Sequence, residues 1–183
     1  MKLFSTLSLL SLLFVIAFSS FKPQQKHHIK HEIDEYDTLN YHSMVVSGVK
    51  LGSNYGTILE KLGSPDSVEK EETPDANLSN QLEVYYYGKD VFLIMDETVS
   101  GFELNTDRYK IENLGDLKVG DSMAKVKKRF PNSYKLRDID NSVEDWITTV
   151  SVQFGTSDSF LEISLQNDKI IKLETVTDDG TEE

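Results

Sequence analysis

Residues 49–63 read VKLGSNYGTILEKLG, and residues 117–131 read LKVGDSMAKVKKRFP. Laid over one another, 68 positions apart, they put Lys50 on Lys118, Gly52 on Gly120, Ser53 on Asp121, Ile58 on Val126 and Leu62 on Phe130. Each stretch carries a glycine, then a short polar side chain suited to accept free N–H groups at a helix start, then apolar residues at helical spacing. In the first, Ser53 or Asn54 caps, and Tyr55, Ile58, Leu59 and Leu62 make one stripe. Gly63 closes that helix and Pro65 forbids its continuation. In the second, Asp121 or Ser122 caps and Met123, Val126 and Phe130 face inward. Lys125, Lys127, Lys128 and Arg129 cover the outside, where the helix C-terminus favours cations. That basic face reads as solvated surface, with a patch for a partner as the alternative.

The same offset runs on through the segments that follow. Leu82, Val84 and Tyr86 fall on Val150, Val152 and Phe154, and Leu93 and Met95 on Leu161 and Ile163. After one added residue, Phe102 and Leu104 meet Ile171 and Leu173. A register held over this length predicts two tandem copies of one unit, residues 45–112 and 113–177. Each copy has three strand-like runs, 81–88, 91–95 and 100–105 in the first and 147–154, 159–165 and 169–176 in the second. Turn signals separate them at Gly88-Lys89-Asp90, Gly155-Thr156-Ser157-Asp158 and Asn167-Asp168. Short links of this kind make antiparallel meanders, so the expected fold class is α+β, with a short helical layer on an antiparallel sheet of three to four strands.

The glycine and polar cap at Gly52-Ser53, the aliphatic Ile58, the run Leu62-Gly63-Ser64-Pro65 and the aromatic strand Tyr85-Tyr86-Tyr87 carry a resemblance. The chain resembles the repeats of the beta-lactamase inhibitor protein and of the small outer-membrane assembly lipoproteins. That resemblance implies two units side by side in one curved sheet with an open concave face. In the inhibitor that face grips a partner protein; in the lipoproteins the domain scaffolds a membrane machine. Phe130-Pro131 stands where the first copy has Leu62-Gly63, and the chain lacks the cysteine by which a lipoprotein is acylated.

Residues 1–19 read as a signal peptide: Lys2 gives the positive start, an apolar run follows, and Ala17 and Ser19 are small residues at the cleavage positions. An uncleaved anchor is the alternative, against which the run is short beside the ~20 apolar residues that span a bilayer. Residues 20–44 read as a flexible tether holding every histidine, and 178–183 as an acidic tail. With no cysteine, the exported domain must rely on core burial, and a lipid anchor is not expected. Localisation is then periplasmic or extracellular, with the protein soluble after cleavage and monomeric or a weak oligomer. Thirty-one acidic against 19 basic residues would repel nucleic acid, leaving a cationic partner or simple solubility as readings.

Strand alternation names an open face. If Leu82, Val84 and Tyr86 point at the helices, then Glu83, Tyr85, Tyr87, Phe92, Phe160 and Glu162 point away, together with Thr149, Ser151, Gln153, Glu103, Lys172 and Glu174. Aromatics among polar residues on a rigid sheet suit recognition of a protein or an envelope ligand; packing against the tether or each other is the alternative. His27 and His31 have the spacing of a metal pair, but nothing preorganises them, so no metal or other cofactor is expected. With all histidines outside the repeats and no cysteine, nucleophile–base pairs cannot assemble there, and no enzyme is expected. Trp146 reads as a lid on the core, and residues 66–75 as a solvated loop. The function expected is that of an exported, inhibitor-like binding protein, with a non-catalytic envelope assembly factor as the alternative.

Overall fold

The computed structural model describes residues 35–71, 82–140, 142 and 146–177. The expected leader, His27, His31 and the expected acidic tail lie outside them. In chain order the elements are β1 (Thr38–Leu39), β2 (Val45–Val46), β3 (Val49–Lys50), α1 (Gly56–Leu62), β4 (Ser67–Glu71), β5 (Leu82–Tyr87), β6 (Asp90–Met95) and β7 (Thr98–Leu104). There follow α2 (Met123–Arg129), α3 (Pro131–Lys135), β8 (Asp138–Asp140), β9 (Ile147–Phe154), β10 (Ser159–Gln166) and β11 (Lys169–Thr177). The fold is α+β, mostly sheet. One large sheet has the order β1-β9-β10-β11-β7-β6-β5-β4, with β8 also on β9, and β2 and β3 form a small second ladder.

Two antiparallel meanders, β4 to β7 and β9 to β11, meet where β7 pairs with β11. Short polar residues stand at both helix starts, although Tyr55, not Ser53 or Asn54, occupies the cap position of α1 and its side chain caps nothing. Asn54 Oδ1 accepts the Gly56 N–H at 2.9 Å, and the Ser122 hydroxyl accepts from Lys125. The start of each meander's last strand is held in the same way. Gly52 donates to Val99 O, Val99 to Ser53 O and Tyr55 to Glu97 O; Gly120 donates to Ile170 O, Ile170 to Asp121 O and Met123 to Asp168 O. Both middle strands carry a register shift, at Leu93/Ile94 and at Ser164/Leu165.

Three expectations are corrected. The segment expected to be a tether up to residue 44 joins the fold from Asp37 onward. Asp37 Oδ2 accepts the N–H groups of Asn132 and Ser133, both at 2.9 Å, Thr38 and Leu39 pair in parallel with Gln153 and Phe154, and Met44 is wholly buried. Within the loop expected at 66–75, Ser67–Glu71 is an edge strand on β5, which its charged side chains protect from further pairing. Trp146 is exposed rather than a lid.

A single cluster of buried side chains fills the space between the helices and the sheet. Ile58 and Val126 come from the helices, Phe130 from the joint between α2 and α3, Val46 and Val49 from the small ladder, Met44, Leu51, Ile111, Leu114 and Leu117 from the connecting segments, and the inward-facing residues of the large sheet from below. Leu59, placed on the apolar stripe of α1 by its spacing, is exposed, because this seven-residue helix buries only Ile58 fully.

Candidate binding face

Cross-strand partners share a face, so the ladders assign every strand residue. Tyr85 stands opposite Phe92 and Tyr87 opposite Asp90; Phe92 stands opposite Phe102; Leu104 stands opposite Leu173, and Leu173 opposite Ile163, which faces Val150. All of these look at the helices. Tyr85, Tyr87 and Phe92 are therefore core residues, with 6%, 3% and 0% of their surface exposed, which corrects the outward placement of all three. Tyr87 donates to Gly63 O at 2.8 Å, and its ring meets Phe92 edge-on.

The physical reason is a shift in register between the meanders. β5 and β6 are joined by a two-residue turn, whereas β9 and β10 are joined by the four residues 155–158. That difference is even and by itself leaves the faces unchanged; the flip arises because the expected offset of 68 fails by an odd number. The matching register shifts at Leu93/Ile94 and Ser164/Leu165 lie 71 positions apart, and their first-strand neighbours Val84 and Thr149 lie 65 apart; an odd slip moves a strand's whole side-chain set to the other face. Phe92 and Phe160, expected to be equivalent, lie on opposite faces.

Glu83, also expected to point away, is corrected too: it stands opposite the buried Ile94 and shares the helix-side face with Tyr85. The two line a cavity of about 400 Å³ at the sheet's edge with Tyr55, Lys70, Ile94, Asp96 and Glu97. There Lys70 Nζ reaches Glu83 at 2.6 Å, and the Tyr85 hydroxyl donates to Glu83 at 3.3 Å. Burial and the Glu83 charge hold the Tyr85 hydroxyl above its ordinary pKa. Tyr109 packs behind this region with Arg108 over its ring, and among the described residues its hydroxyl is the one buried side-chain polar atom without a hydrogen-bond partner.

The opposite face carries Phe160 and Glu162, along with Ser151, Glu103, Lys172 and Glu174. The ladders place Val91, Glu103, Glu174, Glu162 and Ser151 in one row across five strands. Three carboxylates thus stand directly opposite one another, an arrangement that costs stability because like charges repel across a ladder. Lys172 Nζ reaches Glu174 at 2.5 Å. Burial lowers the pKa of Lys172, but its hydrogen bond to Glu174 and the charges of Glu174, Glu103 and Glu162 outweigh this and raise it. Glu162 is held above the ordinary glutamate range, first by burial and then by Glu174, against the opposing pull of Lys172 and the Ser151 hydroxyl.

One strand farther on, Phe160 meets Tyr36 edge-on at 5.6 Å, and a shallow depression of about 390 Å³ is lined by Tyr36, Ser151, Phe160, Glu162, Val176 and Thr177. The aromatic part of this face is thus partly covered by the incoming chain, and its centre is acidic. Such a face can pair with cations and pack against an aromatic or aliphatic group. Among the described residues no cluster of histidine, aspartate or glutamate has the geometry of a metal site, and no helix is long and apolar enough to cross a membrane.

No protein-family model matches the chain, and no curated protein matches it. Among solved structures it is similar to a protein from Streptococcus mutans provisionally described as a beta-lactamase inhibitor protein. The two share 13% identity, with 67% of this chain and 82% of that one covered and a TM-score of 0.26.

Proposed function

We propose that this chain is an exported, non-catalytic binding protein whose recognition surface is the sheet face opposite the helices. The observation that carries the reading is the row Glu103–Glu174–Glu162. Three glutamates in direct cross-strand register lower the stability of the free protein, and a cationic partner relieves that cost. The adjoining Phe160 and Tyr36 rings supply apolar contact beside the charge, the combination that protein interfaces use at their centres. We further propose that the two meanders are tandem copies of one unit. The matched hydrogen bonds at Gly52 and Gly120 and the matched register shifts at Leu93/Ile94 and Ser164/Leu165 support this.

The test is capture. The protein, immobilised, should retain a basic partner from an envelope or culture extract, and the triple variant Glu103→Gln, Phe160→Ser, Glu162→Gln should lose it while still unfolding in a cooperative thermal transition. Undiminished capture by that variant sinks the reading.

A further inference from the structure

The seam between the two meanders is short and then forks. β7 and β11 pair only at Leu104–Leu173 and Glu103–Glu174. The next rung is made by a side chain: Thr175 Oγ1 accepts the Phe102 N–H at 3.0 Å. Gly101 is needed beside it, because a Cβ there would run into the Thr175 hydroxyl. Past this point β7 turns to Gly52 and Ser53 for its hydrogen bonds, while β11 continues with β10.

A cleft of about 250 Å³ opens between the diverging strands, lined chiefly by Tyr41, Leu82, Leu93, Met95, Phe154 and Val176. Tyr41 and Phe154 close it on the helix side, their rings edge to face at 5.5 Å, and the Tyr41 hydroxyl donates to Ser100 O at 2.9 Å. Leu82, Leu93, Met95 and Val176 lie on the acidic face. An apolar cavity of ~150 Å³ already holds a benzene ring, so this cleft has room for one large apolar side chain.

Its neighbours define what must accompany that side chain. Val176 at the lip and Glu174 are two residues apart on one face of β11, a spacing of about 7 Å. An extended partner chain repeats that spacing between its own residues i and i+2. Resting on the reading of this face as a binding surface, we infer that the cleft receives a phenylalanine or leucine from an extended segment of a partner protein. An arginine or lysine two positions away in that segment meets Glu174 and Glu103. Charge complementarity selects this occupant, since among the described residues Lys172 alone offsets the three glutamates of the row.

The experiment titrates the purified, isotope-labelled protein with three blocked pentapeptides, Gly-Arg-Thr-Phe-Gly, Gly-Glu-Thr-Phe-Gly and Gly-Arg-Thr-Ser-Gly, following amide resonances. The first should shift Gly101, Phe102, Thr175 and Val176 saturably, and the other two should bind at least tenfold more weakly. Met95→Glu, at an exposed rim position, should weaken the first peptide by about the same factor and leave the remaining resonances in place. Equal binding of the Arg-Ser peptide, or no saturable shift in the cleft, overturns the inference. Shifts confined to Ser151, Phe160 and Glu162 overturn the cleft but leave the binding face standing, and that face is judged separately by capture with the triple variant.

Discussion

Glu162 stands directly opposite Glu174 across the β10–β11 ladder, partly buried, with Ser151 on its other side. Its pKa is raised in the folded protein by burial and by that neighbour. The folded state therefore prefers the neutral acid. The stabilising contribution is full below the ordinary glutamate value of 4.5 and is lost as pH rises through the higher folded value. At neutral pH the ionised Glu162 weakens the fold. Glu162→Gln should stabilise the protein at pH 7 by about 0.2–1 kcal/mol, and the gain should vanish below about pH 4. Chemical denaturation at the two pH values checks this; an equal gain at both would contradict the assigned cause.

Alkaline stability is governed by the tyrosines inside. Burial pushes Tyr87 up to about 12, helped by Tyr109 and Tyr85, and burial raises Tyr41 and Tyr109 as well. A raised phenol pKa contributes stability that is whole below the ordinary value of 10 and is lost as pH rises from there through 12. Tyrosinate absorbance should show exposed phenols titrating first, with the buried set ionising together with loss of structure. Titration of every tyrosine near 10 with the fold intact would contradict the burial.

Two phenylalanines separate the faces. Phe92 is wholly enclosed and touches the Tyr87 and Tyr109 rings, so Phe92→Ala should cost about 3–5 kcal/mol. Phe160 has its ring against Tyr36 on the other face, and Phe160→Ser should cost about 1 kcal/mol or less. Thermal or denaturant unfolding of the pair measures the contrast.

Tyr109 is buried with its hydroxyl unpaired. Leaving such a group in the core costs desolvation with no bond in return. Tyr109→Phe should therefore leave stability unchanged or raise it by about 1 kcal/mol, whereas Tyr87→Phe, which gives up the bond to Gly63 O, should lower it by a similar amount. Unfolding measurements that rank the two variants the other way would refute the assignment.

The elements were legible because their signals are local. Polar residues at the helix starts, Asn54 just ahead of α1 and Ser122 capping α2, turn residues at Gly88 and Asn167-Asp168, and apolar runs in each strand set the boundaries within a few residues. In β9 the alternation of Thr149, Ser151 and Gln153 with Val150, Val152 and Phe154 also declares which face is buried. β5 offers no such contrast: Val84, Tyr85, Tyr86 and Tyr87 are consecutive apolar or aromatic residues, and β6 is apolar from Val91 to Met95. With the period silent there, the face rested on an offset of 68, whereas the equivalent positions of the two meanders lie 65 and 71 apart, an odd slip in both cases. The acidic row drew two of its members from β10 and β11, where alternation is clear. Its register with Glu103 depends on β11 lying beside β7, a pairing of segments 69 or more positions apart that no local pattern announces. β1 was unreadable for the same reason, being two residues held by a distant strand.

The buried cluster runs unbroken past the two-rung seam, from Phe102 and Leu104 to Leu173 and Ile163. Backbone bonding there is sparse, yet neither meander can melt without stripping apolar cover from the other. Cooperativity between them is thus carried by side chains rather than by the ladder. The two meanders should therefore unfold together, although only two backbone rungs join them.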